Sequence, residues 1–119
     1  MISNEEPILK VSQVAKHIKM SADRLRTYDE ENLVVPYRDD KNVRLYSMYD
    51  VEWLESLRTL IGKDKLSILG FKEILKLLYN FSDENFQTFL EKQKKDSIWV
   101  TLATMRKNPN YEKLRKFYD

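Results

Sequence analysis

Apolar residues at the start of the chain recur at helical spacing in two short bursts. Within ILKVSQVAKHIK, residues 8–19, Val11, Val14, Ala15 and Ile18 fall on one face of a helix of about two turns, which Ser12 is placed to cap. Ser21 opens a second helix, SADRLRTYDEEN, in which Leu25 and Tyr28 share a face. Asn32 stands where that helix should stop, a position that favours a residue tolerant of left-handed backbone. Two short helices joined across Lys19-Met20 predict a helix-turn-helix. The pattern then changes. Val-Val-Pro-Tyr-Arg and Val-Arg-Leu-Tyr are β-prone runs around Asp39-Asp40-Lys41-Asn42, which has turn chemistry, so residues 33–46 predict a hairpin. A helix-turn-helix followed at once by a hairpin is the winged form of the motif.

Ser47-Met-Tyr-Asp50 resembles a capping box with Asp in place of Glu, and Val51, Leu54, Leu57, Leu60 and Ile61 continue at helical spacing to Gly62. A further helix starts near Ser67 and carries Ile68, Phe71, Ile74, Leu75 and Leu78. Ser82 is placed to cap another, which runs to the stop at Asn108-Pro109. Roughly 25 residues of helix extend about 37 Å, more than a small domain needs to cover itself, so part of this element is expected to meet a partner. Its seam is Phe86, Phe89, Leu90, Ile98, Leu102 and Met105, interrupted by EKQKKDS. IWVTLAT reads as helix or as a buried strand, and the tail YEKLRKFYD as a short amphipathic helix. The expected fold is mainly α: a winged helix-turn-helix with a small β-hairpin wing over residues 1–80, then a helical dimerisation segment over 81–119.

Composition narrows the function more than it identifies it. With 119 residues, 2 glycines and 3 prolines, the chain suits one helical domain and not a many-stranded barrel. It has no cysteine and a single histidine, His17, which excludes thiolate metal sites and disulfides and leaves no histidine-based metal spacing. No glycine-rich phosphate loop or nucleophile–base set is present, so neither an enzyme nor a bound cofactor is expected. No apolar run reaches the length of a membrane span, and the N-terminal residues lack a signal pattern, so a soluble, cytoplasmic protein is expected. The net charge of +2 hides an uneven split: 8 Lys/Arg against 9 Asp/Glu in residues 1–50, and 13 against 10 beyond. A case for nucleic acid therefore rests on where individual charges sit.

The second helix carries the best candidates. Asp23, Arg26, Thr27 and Glu30 lie opposite Leu25 and Tyr28, and a helix docked in a major groove presents its N-terminal side chains to base edges. Arg24 suits bidentate contact with guanine, Asp23 suits the cytosine amine, and Arg26 suits phosphate. Asp23–Arg26 is equally an ordinary surface pair at i,i+3. The hairpin adds Arg38, Lys41, Arg44 and Tyr46. Arg44 and Tyr46 project on one side of a strand, where both reach phosphate unless Tyr46 packs beneath the wing. Asp39 and Asp40 at the tip oppose deep insertion.

The order of residues carries more information still. VSQVAKHIKMSADRLRTYDEENLVVPYR, NVRLYSMYDVEWLESLRTL and LSILGFKEILKLL follow one another. Over roughly residues 8–79 they resemble the DNA-binding domain of MerR-type transcription regulators. That family's pattern has a turn ending in V-S, then L-R-x-Y-[DE]-x-x-G-L, then a wing closing in R-x-Y-S-x-x-D-[VI]. Here these are Ser21, Leu25-Arg26-Thr27-Tyr28-Asp29, Leu33-Val34 with Pro36, and Arg44-Leu45-Tyr46-Ser47 with Asp50-Val51. Ile68 and Phe71 fill the Leu-x-x-Ile spacing of the following helix. The departures are Lys19, Asn32 and Asn42 where the family has glycine, Met20 for valine, and Thr27 for the first tyrosine of a pair.

The resemblance implies a homodimer joined by antiparallel long C-terminal helices, binding an inverted repeat in duplex promoter DNA and bending or untwisting it. Carried over by position, Arg26, Tyr28, Arg44 and Tyr46 contact backbone, and Ala22, Asp23 and Arg24 face bases. With Ser12, Ser21, Arg38 and Lys41 these complete the expected DNA-contacting set. The chain is most similar to the branch holding heat-shock and glutamine-responsive nitrogen repressors. This implies a cytoplasmic bacterial repressor gated by a regulatory protein, a chaperone or a metabolic enzyme, and not by metal or thiol chemistry. The alternative is a MerR-like protein-interaction module that modulates a chaperone or other partner without binding DNA.

Overall fold

A computed structural model describes residues 4–95 and 97–119. The chain packs as two compact units, one ending at Glu55 and the other beginning at Ser56.

The first unit contains β1 (Leu9–Lys10), α1 (Val11–Ile18), α2 (Ala22–Glu30), β2 (Tyr37–Arg38), β3 (Arg44–Tyr46) and the start of α3 (Met48–Leu60). β2 and β3 form the expected hairpin, with Tyr37 opposite Leu45 and Arg38 opposite Arg44. β1 adds a third antiparallel strand on the other side of β3, pairing Leu9 with Tyr46 and Lys10 with Leu45. Two residues are too few for alternation to announce a strand. This strand also moves the start of α1. The chain leaves β1 in extended conformation at Lys10, whose N–H donates to Gln13 Oε1 at 2.8 Å. Ser12 is therefore the second helical residue and not the cap.

Both helices of the motif end in left-handed residues. Lys19 has φ 57°, and the Met20 N–H closes back on the Ala15 carbonyl at 3.0 Å. Asn32 has φ 60°, with Asn32 N–H on Asp29 O at 3.1 Å and Leu33 N–H on Tyr28 O at 2.8 Å. These two bonds make a Schellman termination, which brings Leu33 into the core directly after the helix. Val14, Ile18, Leu25, Tyr28, Leu33, Val34, Tyr46, Val51, Trp53 and Leu54 are buried. The Trp53 indole N–H is satisfied by the Leu33 carbonyl at 2.6 Å. At the head of α3 the expected capping box is formed and buried: Ser47 N–H donates to Asp50 Oδ2 at 2.9 Å, and Asp50 N–H to Ser47 Oγ at 3.1 Å.

The second unit continues from α3 through α4 (Ile68–Tyr79), α5 (Asp83–Glu91), α6 (Ile98–Arg106) and α7 (Pro109–Tyr118). Ser67 and Ser82 cap α4 and α5 as their positions predict, accepting from Gly70 N–H at 2.9 Å and Asn85 N–H at 3.0 Å. The long helix expected from Ser82 to Asn108 does not form. It is replaced by α5 and α6, separated around the polar run after Glu91, and IWVTLAT is helical and not a strand. The physical reason lies in the interruption: Glu91 to Lys95 offers no apolar side chain to continue a buried stripe, whereas folding back lets the flanking clusters bury each other. Phe89 meets Trp99 edge-on at 4.9 Å between centroids, and Phe81, Phe86 and Phe89 pack within 6.5 Å of one another. Pro109 then opens α7 at its first turn, with Asn108 as cap.

Arg106 ties this unit together. Its Nη1 donates to the Leu78 carbonyl at 2.8 Å and its Nη2 to the Phe81 carbonyl at 2.6 Å, with Asp83 Oδ1 at 3.2 Å. The guanidinium also lies 4.8 Å from the Phe86 ring centroid. Leu78 is among the last residues of α4, where its carbonyl also accepts from the Phe81 N–H at 3.1 Å, so a partly buried cation sits at the negative end of the helix. Tyr79 stacks on Tyr111 at 4.4 Å and donates its hydroxyl to the Tyr111 carbonyl. Burial raises the phenol pKa of both. Among the described residues no helix is long and apolar enough to cross a membrane.

Candidate nucleic-acid interface

α2 is anchored on one side and open on the other. Leu25 and Tyr28 are buried, while Asp23, Arg24, Arg26, Thr27 and Glu30 are exposed and Ala22 is half-buried. Ser21 caps the helix, its Oγ accepting from the Arg24 N–H at 3.1 Å. The Arg24 side chain lies along the helix, with Nε donating to the Tyr28 hydroxyl at 3.1 Å. Tyr28 was expected to reach DNA backbone; it is 1% exposed and instead holds Arg24 in place. The ring faces the core because it lies three residues from Leu25 on the same helical face. Arg26 pairs with Asp23 at 2.7 Å, but Asp23 is 93% exposed, so the pair is solvated and weak.

The wing is tied to α2 by one carboxylate. Asp29 Oδ2 accepts from Arg38 Nη2 and from Arg44 Nε, both at 2.6 Å. Asp29 is 15% exposed, Arg44 17% and Arg38 37%, so the cluster is partly shielded and carries one net positive charge. Sequence reasoning assigned Asp29 no role. It stands in the acidic place of L-R-x-Y-[DE], but its partners lie 9 and 15 residues away on another element.

At the wing tip Asp39 is used internally. Its Oδ1 accepts from the N–H groups of Lys41 and Val43 at 2.9 and 2.8 Å, and Asn42 takes the left-handed position at φ 64°. These bonds fold Asp39 into the turn, while Asp40 and Lys41 are exposed at the tip. Tyr46 is fully buried, and among the described residues its hydroxyl has no hydrogen-bond partner, so the ring packs beneath the wing. Burial, reinforced by Asp29 and opposed by Arg44, pushes its phenol up to about 12. Ser12 is exposed on the first turn of α1. Of the expected set, α2 and the wing thus bring together Ser21, Ala22, Asp23, Arg24, Arg26, Arg38, Lys41 and Arg44, with the two tyrosines beneath them.

The seam predicted for dimerisation is divided. Phe86, Leu102 and Met105 are buried in the second unit's own core, Phe89 and Leu90 are half-buried, and Ile98 is exposed. Among the described residues no group of three His, Cys, Asp or Glu side chains is placed to hold a metal ion.

Comparison with known proteins agrees with the motif. Residues 9–78 match the family model described as MerR HTH family regulatory protein. The chain is 31% identical over 101 residues to the HTH-type transcriptional regulator GlnR of Bacillus anthracis, covering 85% of this chain and 73% of that protein. The GlnR of Bacillus cereus shows the same identity and coverage. The chain is also 34% identical over 84 residues to the HTH-type transcriptional regulator YfmP of Bacillus subtilis, covering 70% of this chain and 49% of YfmP.

Proposed function

The chain belongs to the MerR family of HTH regulatory proteins, and on that premise we propose that it is a DNA-binding transcriptional regulator whose contact surface is the open face of α2 together with the wing. The observation that carries this is the Asp29 bridge, which fixes two wing arginines against the helix that bears Arg24 and Arg26. A reader of duplex DNA needs cations on both elements held in one register, since phosphate contacts position and base contacts specify. In this reading Arg24 reads a base edge from the first turn of α2. Arg26, Arg38 and Lys41 meet phosphate. Arg44, less exposed, holds the wing through Asp29.

We further propose that the protein acts as a repressor, as a homodimer on an inverted-repeat promoter site, with residues 1–80 contacting DNA and 81–119 serving association and regulation. With no cysteine in the chain, its signal is a partner protein and not a thiol-bound metal. Because α5 and α6 fold back on each other, the dimer contact in this reading uses exposed side chains such as Ile98 and not the whole seam.

Selection from a random duplex pool at moderate salt tests the reading, because salt suppresses purely electrostatic binding. An enriched inverted repeat is the expected result. On that site, Arg26→Ala and Lys41→Ala weaken binding to all sequences and each flatten the salt slope by about one. Arg24→Ala relaxes preference at one base position. No enrichment from a folded sample overturns the proposal in favour of a protein-binding module, a reading that the exposed acids Asp23, Glu30 and Asp40 favour.

A further inference from the structure

The break between α5 and α6 creates a feature that a continuous helix would not have. A groove of about 290 Å³ opens between the two helices within the second unit. Its floor is Phe86, Leu90 and Ala103, and its rim carries Arg106, Lys107 and Asp83. Phe86 and Leu90 are one turn apart on α5, and Ala103 and Lys107 one turn apart on α6. The α5 edge from Asp83 to Leu90 is about 10 Å long, but its apolar part and the α6 edge each run only about 6 Å. A docked helix needs anchors across at least two turns, so the groove is too short for one. Its volume lies at the lower edge of small-ligand pockets, which run from about 300 Å³ upwards.

The rim indicates the charge of the occupant. Two cations face one carboxylate, leaving a net positive edge over an apolar floor. Asp83 already touches Arg106, yet its side chain is fully solvent-exposed and makes this contact at 3.2 Å, so it is poorly held. A ligand carboxylate set between Lys107 and Arg106 would take over that contact, and an aryl or short alkyl body would cover Leu90 and Ala103. We propose that this groove binds a small amphipathic monocarboxylate, of the size of an arylpropionate. The proposal goes beyond the DNA-binding reading and does not depend on it.

The experiment is ligand-observed NMR and calorimetry on the full chain with 3-phenylpropionate, using 3-phenylpropanamide as the uncharged comparison. The carboxylate should bind, and the amide about tenfold more weakly, because only the former makes charge-assisted bonds. Lys107→Gln should weaken the carboxylate several-fold. Asp83→Asn should tighten it, because the competing anion is gone. Arg106 itself is unsuitable, since the fold of this unit rests on it. Ala103→Trp fills the groove from a half-exposed position and should abolish binding with the circular dichroism unchanged. Absence of binding to both wild type and Asp83→Asn overturns the proposal. So does equal affinity for carboxylate and amide, or binding that survives Ala103→Trp.

Discussion

In the first unit one carboxylate gathers two guanidinium groups; in the second, one guanidinium gathers backbone carbonyls. Asp29 and Arg106 occupy the same kind of position, each joining elements distant in sequence, but their partners differ. The arginines around Asp29 are charged and partly wet, and a DNA phosphate is an anion of the same kind as the one they already hold. Leu78 O and Phe81 O are backbone groups fixed in place by the fold, Leu78 O receiving Arg106 beside the Phe81 N–H at 3.1 Å, so neither can exchange Arg106 for a ligand. A hub with exchangeable partners positions a surface, whereas a hub with captive partners holds a fold.

The sharpest way to break this comparison is to remove each hub in turn. Arg106→Ala should cost on the order of 3 kcal/mol in urea unfolding, since it deletes two charge-assisted bonds to backbone carbonyls and the guanidinium packing on the Phe86 ring. Arg106→Lys should recover little, because an ammonium does not reproduce the planar fork. Asp29→Ala should cost less, about 1–2 kcal/mol, because water solvates the released arginines in part. Its larger effect should fall on DNA: operator selectivity drops while non-specific affinity rises at low salt, as measured by competition titration. Equal stability losses for the two variants would show that the distinction between the hubs is mistaken.

What the sequence revealed follows the same division between local and distant chemistry. Ser21, Ser47 with Asp50, Ser67 and Ser82 act within four residues of themselves, and each caps the helix it was expected to cap. Asn32 and Asn42 likewise sit at positive φ because short polar side chains tolerate it. The HTH and the wing are legible for this reason. Asp29 was not, because its partners come from a hairpin whose register is set by pairing. The α5–α6 fold-back was not, because an apolar seam announces burial without saying whether the covering surface belongs to the same chain. The same limit applies to Tyr28 and Tyr46. Spacing put Arg44 and Tyr46 on one side of a strand, but only packing shows that the phenol lies underneath.

Lys19 sharpens the comparison from the first unit's side. It occupies left-handed backbone with a long side chain, where a non-glycine residue is penalised by roughly 1–2 kcal/mol. Lys19→Gly should raise stability by about 1 kcal/mol, read as a higher urea midpoint with unchanged slope. Since Lys19 lies outside the proposed contact set, DNA affinity should stay within a factor of about two, apart from the small non-specific term of one cation.

Tyr46 gives the smallest effect and the most discriminating one. Its hydroxyl is buried without a partner among the described residues, so Tyr46→Phe should be neutral or stabilise by up to about 1 kcal/mol at neutral pH. A phosphate contact through this hydroxyl would instead appear as lost DNA affinity with no gain in stability. The pH dependence has a definite sign. The folded phenol is pushed up to about 12 while the unfolded one titrates near its ordinary value of 10.0, so both states are protonated below 10 and pH has no effect there. Between about 10 and 12 the unfolded chain loses its proton first, and stability falls by about 1.4 kcal/mol per pH unit for this group. Tyr79 and Tyr111, also raised by burial, contribute in the same direction from the second unit. Alkaline unfolding of Tyr46→Phe should therefore be shallower than that of the wild type yet still present. A curve that does not change would place the Tyr46 hydroxyl in water, and with it return the residue to the DNA-facing surface.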